Sequence, residues 1–579
     1  MKHSNIHQFD MKKGIKLTLI KIIRLIVSPN LWIWLAPLIY LVPNIILTFT
    51  ETYSVLSKIT NLALPLGLYL FLFSLSRKIG RTLLLFIPLI VFFIFQLVLL
   101  GLYGESIIAI DMYGNLVTTN AGEANELMSN LTKPVVLSVL LYIPSIIVGI
   151  IITIKRFYAS PRLLRIEKFT SFCFIVIGLS SMFLAIAFAP RYHARREIFP
   201  YNVLENLVTA FKRAHTSSEY ITASADCDYE AVTLNDSVEP KVIILVIGES
   251  TRAGSWQMLG YERETNPRLS RRGDLVNFSK VLTESNTTHK AVPLLLSDLT
   301  PLTYGDSLNH KKSIFSMFNE LGYQTSFLSA QQPNHSYIDW FGAQANDFRF
   351  VGADNDNFDT RLISPLQEIL SDTCHQQKFI ALHTYGSHFS YKERYPEDEA
   401  FFLPDAESRA RRENRTQLVN AYDNAVRRVD MLLDTIISAL ESSETPSVLL
   451  YVSDHAEDIF DDSRGRLLHS SPTPTYYQLH IPMVVWMSKS YINKYPEKYG
   501  AVLKNKDSDV ASTTSVFHTL VDVANATYPG FKPNLSVAND LYKPTPRFYL
   551  NDYNEGVPLK HSGLRQKDFD VLKNKNIAY

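Results

Sequence analysis

Apolar residues are laid out along this chain in two different ways. In the first third they run on without interruption. Five stretches, 25–50, 59–76, 82–104, 134–154 and 169–190, contain no Asp, Glu, Lys, Arg or His. A helix needs about 20 apolar residues to cross a bilayer core about 30 Å thick. A helix of a soluble protein keeps a polar face, and these show none. The pattern therefore predicts five membrane spans, with 59–76 the shortest. After residue 240 the apolar runs become short. KVIILVI (241–247), QKFIALH (377–383), SVLLYV (447–452) and IPMVVW (481–486) are separated by amphipathic segments at 312–321, 416–442 and 510–524. Short apolar runs without polar alternation suit strands buried on both faces, as in parallel sheets. Strands alternating with helices predict an α/β fold with a largely parallel sheet.

Flanking charges orient the spans. The N-terminal tail carries Lys2, Lys12, Lys13, Lys16, Lys21 and Arg24. The second inter-span loop carries Arg77, Lys78 and Arg81, and the fourth carries Lys155, Arg156, Arg162, Arg165 and Lys168. The first loop holds only Glu51 and Lys58. The third holds Glu105, Asp111, Glu123 and Glu126 against Lys133. The tail is expected inside, and everything after residue 190 outside. Arg191, Arg195 and Arg196 run against this rule and suit lipid headgroups. The first apolar run starts late and is too long for a cleaved signal, so it is expected to stay as an anchor. The organisation expected is a membrane domain over 1–190, a bridge over 191–240 and a soluble domain over 241–579. Within the bridge, Val203, Leu204, Leu207, Val208 and Phe211 fall at helical spacing. That helix could lie on a membrane surface or pack on the soluble part.

Composition narrows the possible functions. Of 579 residues, 57 are Lys or Arg and 56 are Asp or Glu, a formal net charge of +1. That balance argues against a nucleic-acid protein, and 46% hydrophobic residues exclude a disordered chain. Three cysteines exclude a disulfide scaffold. No predicted span carries a charge to mark a transport pathway.

Ligand sites in open α/β sheets lie at the carboxyl ends of strands, and chemistry-bearing residues follow the runs here. Glu249 follows the first in GESTR. His383 and His388 bracket HTYGSH after the second. Asp454 and His455 open SDHAED after the third, and His469 sits in RLLHSSP. Asp, Glu and His together are good zinc ligands, so the pattern predicts a metal site. Zinc makes a coordinated hydroxyl easier to deprotonate, which turns a Ser or Thr into a nucleophile. The loop 283–293, TESNTTHKAVP, offers Thr283, Ser285, Thr287 and Thr288, and the residues alone do not choose among them. His383 reads as a strand-end residue, Asp423 and Asn424 as structural, and Asp461 and Asp462 as solvated. Lys290 reads as a ligand for a donor phosphate or as a solvated loop residue. The Asn286-Thr287-Thr288 sequon reads as coincidence.

The segment GESTRAGSWQMLGYERETNP, the HTYGSH and SDHAED runs and the five-span anchor resemble the bacterial phosphoethanolamine transferases. These are inner-membrane enzymes of the alkaline phosphatase and sulfatase superfamily. The resemblance implies that Glu249, Asp454 and His455 bind zinc together with Thr288, the Thr five residues before Pro293. Thr287 is the runner-up nucleophile. It implies that His388 and His469 are site histidines, as proton donors or as ligands of a second zinc. The implied reaction takes phosphoethanolamine from phosphatidylethanolamine and passes it through Thr288 to lipopolysaccharide or lipid A. The implied enzyme is a monomer of the bacterial inner membrane with its catalytic domain in the periplasm, and its product would lower sensitivity to polymyxin. Two features depart from the lipid A branch: Cys227 and Cys374 are the only cysteines outside the predicted spans, and Leu294 follows Pro293. Both lean toward the branch that modifies the lipopolysaccharide core. Two other readings compete: a phosphoglycerol transferase of the lipoteichoic acid type, and an inactive membrane-anchored binding or sensor protein. A sulfatase would need a C/S-x-P-x-R setting, which Cys374 lacks.

Overall fold

The structure, a computed structural model, describes residues 24–51, 53–103, 107–113, 121–189, 192–234, 239–351, 358–406, 411–470 and 472–579. The basic tail before Arg24, together with Glu105 and Arg191, lies outside the described residues. Chain contacts divide the molecule into two units. One holds residues up to 109 with 131–209; the other holds 110–130 with 210–579.

Among the described residues of the first unit, four helical segments are long and apolar enough to cross a membrane: Pro29–Thr50, Val55–Ser74, Thr132–Lys155 and Pro161–Phe188. A fifth crossing results if the pair Ile79–Leu85 and Ile87–Gly101, bent by 52°, passes as one. These helices expose Phe49, Phe169, Phe172, Phe183 and Phe188, the opposite of what water selects and what acyl chains accept. Inside, Tyr40, Tyr69, Phe73, Phe86, Phe93 and Tyr142 are buried, with Tyr40 stacked on Phe86 at 4.9 Å. Val55–Ser74 and Pro161–Phe188 pack closely through glycine. A Cβ on Gly67 would lie 2.7 Å from the Ile175 nitrogen, and one on Gly178 would lie 2.6 Å from the Leu64 nitrogen. Small residues allow this close approach where no hydrophobic effect drives helices together. The bridging helix forms as Tyr201–Ser218, burying Val203 and exposing Leu204, Val208 and Phe211.

The second unit is built on a seven-stranded sheet: β1 (Lys241–Gly248), β2 (Leu275–Phe278), β3 (Gln324–Ser329), β4 (Asp347–Phe350), β5 (Gln377–His383), β6 (Ser447–Ser453) and β7 (Met483–Met487). Their order across the sheet is β2-β7-β6-β1-β5-β3-β4. All run parallel except β7, which is antiparallel to both β2 and β6. The last apolar run is thus a buried strand of opposite direction, so apolar continuity marks burial on both faces rather than polarity of pairing. Alternate residues of β1 feed two cores. Ile243, Leu245 and Ile247 face one, with Val516, Phe517, Leu520 and Val521; Val242, Ile244 and Val246 face the other, with Leu418, Val426, Val429 and Leu433.

Three helices matter for the site. α1 is Thr288–Leu295, α2 is Arg415–Ser442 and α3 is Ser512–Val523. The apolar spacing of 416–442 and 510–524 predicts α2 and α3 to within a residue or two. The strands β2, β3 and β4 leave no comparable mark. β3 buries Thr325, Ser326 and Ser329 among its apolar residues, and β4, at the sheet edge, is only half-buried. Cys173, Cys227 and Cys374 are all unpaired.

Phe379 on β5 stacks on Phe318 at 4.1 Å and also contacts Phe315. Phe379→Ala is expected to destabilise the second unit by about 3–5 kcal/mol through lost transfer energy and a residual cavity. The shift in urea midpoint, followed by near-ultraviolet circular dichroism, measures it.

Candidate metal centre and nucleophile

Strand register assembles the site. β1 pairs with β5 so that Ile247 meets His383, and with β6 so that Gly248 meets Ser453. Glu249 and Asp454 therefore emerge side by side at the carboxyl edge, with Thr384 level with Gly248 on the other flank. Glu249, Asp454 and His455 are buried and offer ligand atoms within 4.8 Å of one another. His455 Nε2 lies 3.3 Å from Glu249 Oε1 and 3.2 Å from Asp454 Oδ2.

The turn after β1 is held firmly. Ser250 has φ +57°, a left-handed value uncommon outside glycine and often found at functional sites. Its N–H donates to Asp454 Oδ1 at 3.2 Å, and its hydroxyl donates to Glu249 Oε1 at 2.8 Å. From α2, the Tyr422 hydroxyl donates to the Ser250 carbonyl and accepts from the Arg252 N–H, both at 2.8 Å. Gly386, φ +53°, lies so close to the Glu249 backbone that a Cβ would sit 2.7 Å from its carbonyl oxygen. A glycine is required there, between the Glu249 turn and His388.

The hydroxyl-rich loop now resolves. Thr283 Oγ1 donates to the Asp454 carbonyl at 2.6 Å, while Ser285 and Thr287 pair with each other at 3.3 Å. Thr287 is the N-cap of α1 and Thr288 its first residue. Among the described residues, Thr288 is the candidate whose hydroxyl meets side chains of the possible ligand set: its Oγ1 donates to Glu249 Oε2 at 3.2 Å and lies 3.0 Å from His455 Nε2.

A second group shares Glu249. Glu249, His388 and His469 also offer ligand atoms within 4.8 Å. The His469 ring lies 4.0 Å from that of His455 and 5.8 Å from that of His388. Leu468 and Ser470, on either side of His469, have φ +64° and +62°. His469 follows the short strand Leu467–Leu468, which pairs with Asp458–Ile459, and left-handed residues flank it on both sides.

The electrostatics fit a cation. Burial and the charge of Glu249 push the Asp454 carboxyl far up. Burial also acts on Glu249, but His388, His469 and the Ser250 hydroxyl outweigh it and hold that group below its usual range. Burial holds the His455 imidazole neutral, down to about 3, and pushes His469 down as well. Asp454 Oδ2 is buried and accepts no hydrogen bond. An ionised carboxylate, a carboxyl that must shed a proton and a neutral imidazole suit a divalent ion.

Three further contributors surround these groups; Gln331 and Asp359 stand in no run that the sequence singles out, whereas Glu457 lies inside SDHAED. Gln331, after β3, donates to Glu249 Oε2 at 3.1 Å and to the Thr384 carbonyl at 3.0 Å. Glu457 is fully buried, 3.5 Å from His469 Nδ1. Asp359 accepts the Tyr385 and Gly386 N–H groups at 2.6 and 2.8 Å. Only a signal such as the missed β3 would have pointed to Gln331.

Other expectations divide. His383 is buried at its strand end, 3.3 Å from Ser329, as a structural residue. Asp423 pairs with Arg263, and Asn424 accepts the Phe401 and Phe402 N–H groups, as structural residues do. Asn286 is buried between Gln478 and Tyr549, which closes the sequon to modification in the fold. Asp461 is not solvated: its side chain is 6% exposed and lies 2.7 Å from Arg252. Asp462 is bound to Arg464. Lys290 is neither solvated nor turned to the site, since it is buried against Asp111.

Burial and the charge of Glu249 raise the Asp454 carboxyl, which ligates only when ionised, so metal uptake should release a proton wherever Asp454 still holds one. Zinc affinity is therefore expected to rise with pH across the range in which Asp454 titrates. Calorimetric titration in two buffers of different ionisation enthalpy reads this proton, and no buffer dependence would contradict it.

Residues 241–526 match the sulfatase family. A phosphoethanolamine transferase EptC of Escherichia coli O18:K1:H7 is 29% identical over 349 residues, 57% of this chain and 59% of that protein. The chain thus spans less than two thirds of the length of such relatives. The periplasmic domain of Escherichia coli EptC, solved in complex with Zn, is 26% identical with a TM-score of 0.52, covering 57% of this chain and 95% of that one. The integral membrane transferase EptA of Neisseria meningitidis is 20% identical with a TM-score of 0.65, covering 86% and 97%. It shares the fold, apolar helices included. Residues 241–526 are accordingly similar to the sulfatase family, in a chain similar to the phosphoethanolamine transferases.

Proposed function

We propose that this protein transfers phosphoethanolamine from phosphatidylethanolamine to a lipopolysaccharide acceptor through a covalent intermediate on Thr288. One observation carries the reading: the Thr288 hydroxyl lies 3.2 Å from Glu249 Oε2 and 3.0 Å from His455 Nε2, inside a buried metal-ligand set. Bound zinc would supply charge that lowers the hydroxyl pKa and offsets the charge of phosphate oxygens. Glu249, Asp454 and His455 would hold it, with Thr288.

The chain's own residues divide the remaining work. Thr288 gives its hydroxyl proton to His388 or His469, and its Oγ1 forms a bond to phosphorus as the bond from phosphorus to the diacylglycerol oxygen breaks. That oxygen takes a proton from His388 or His469. The alternative use of these histidines, with Glu249, is to hold a second ion. A sugar hydroxyl or phosphate of the acceptor then attacks the phosphorus, and Thr288 is restored. The apolar helices keep the enzyme on the membrane that holds its lipid donor, and the proposed enzyme is a monomer of the inner membrane with its catalytic unit in the periplasm. The dearth of cysteines supports the core of lipopolysaccharide over lipid A as acceptor.

Two other readings stay distinguishable. A phosphoglycerol transferase would take phosphatidylglycerol instead. An inactive binding protein would not need Thr288 placed against its ligand set.

Incubation of the detergent-purified protein with zinc and phosphatidylethanolamine is expected to add a phosphoethanolamine group to Thr288, read by intact mass and fragmentation. Thr288→Ala should abolish the adduct. An adduct on Thr287 would move the nucleophile. An adduct only from phosphatidylglycerol would replace the donor, and no adduct from either lipid with zinc bound would favour the inactive reading.

A further inference from the structure

Lys290 lies two residues beyond Thr288, in the first turn of α1, and is 5% exposed. A buried ammonium is costly unless it is paired. Its Nζ lies 2.5 Å from Asp111 Oδ2 and donates to the Asn551 carbonyl at 2.9 Å. Asp111 comes from far away in sequence, from the segment between the third and fourth apolar runs. Residues 110–130 nevertheless group with the second unit. Asp552 fastens that segment by accepting the Ile110 N–H at 2.7 Å and the Asp111 N–H at 3.1 Å. Arg213, from the bridging helix, donates to the Asp552 carbonyl at 2.9 Å and lies 3.4 Å from Asp111 Oδ1. Two carboxylates and two cations close a balanced cluster against the nucleophile helix.

The same side of the loop is tied by neutral bonds. The Leu550 N–H donates to the Glu284 carbonyl at 2.8 Å, and the Tyr549 hydroxyl to Asn286 Oδ1 at 2.7 Å. Lys290 is the charged member of this buttress and the one inside α1. Removing its partner would leave a buried cation that can regain water only if the first turn moves, and Thr288 is the first residue of that turn.

We propose that Asp111 and Lys290 are positioning residues for Thr288: their ion pair fixes the first turn of α1 so that the Thr288 hydroxyl faces Glu249 and His455. The kinetic part of this proposal rests on the transferase reading above, and the structural part does not.

The test uses the full chain in detergent, loaded with zinc, with Asp111→Asn, Lys290→Met and the double variant. Two quantities are read: hydrogen exchange of amides 288–295, and the rate of adduct formation from phosphatidylethanolamine per zinc-loaded molecule. In Asp111→Asn, exchange should quicken in that stretch. The rate constant should fall roughly 10- to 100-fold, the scale of a nucleophile misplaced by about 1 Å, while KM and bound zinc stay unchanged. Lys290→Met removes the buried charge, so the double variant should lose no more than Asp111→Asn alone. If Asp111→Asn does not fold, Lys290→Met and Lys290→Arg carry the comparison, with Arg expected to keep the larger share of the rate. Unchanged exchange, or an unchanged rate with quickened exchange, would overturn the proposal. Quickened exchange in a protein whose wild type forms no adduct would retire the lipid donor and leave the positioning of Thr288 standing.

Discussion

Two carboxyl groups brought together without water set the terms for this molecule. Glu249 and Asp454 end adjacent parallel strands, and both are buried. Neither can be fully ionised beside the other without a compensating charge, since burying one unpaired ion costs several kcal/mol. Without an ion, burial and the charge of Glu249 favour the protonated form of Asp454, while nearby donors are turned to Glu249. A divalent ion would offset both carboxylates, with His455 and the Thr288 hydroxyl beside it. The turn geometry at Ser250, the glycine at 386 and the strained loop around His469 all serve to keep these groups at their distances.

Much of this could be read from the chain because parallel strands advertise themselves. Unbroken apolar runs ending in Glu249, His383 and Asp454 locate three strand ends, and register then makes neighbours of residues about 200 apart in sequence. The membrane helices are legible for the same reason, that their solvent preference is written on every residue. The less visible parts depend on tertiary pairing. β3 mixes Thr and Ser with Phe and Leu, so Gln331 behind it gave no signal. Direction of pairing is equally silent, as β7 shows. Asp461 and Lys290 look like surface charges because nothing local reports a partner hundreds of residues away.

The nucleophile shows where local reading stops. Four hydroxyls within six residues are chemically similar, and only the loop's path distinguishes them. Thr283 and Ser285 turn to backbone and to each other's neighbourhood, Thr287 caps the helix, and Thr288 reaches the ligands. Choosing among them needs the position of α1, which the segment 110–113 and the hairpin Phe548–Pro558 help to set.

The unpaired cysteines have a consequence for how the second unit is made. With Cys227 and Cys374 both free, its stability rests on strand pairing, on two apolar layers and on buried polar ties. Its folding needs no thiol oxidant and no shuffling of wrong cross-links. Reductants are therefore expected to leave its fold intact.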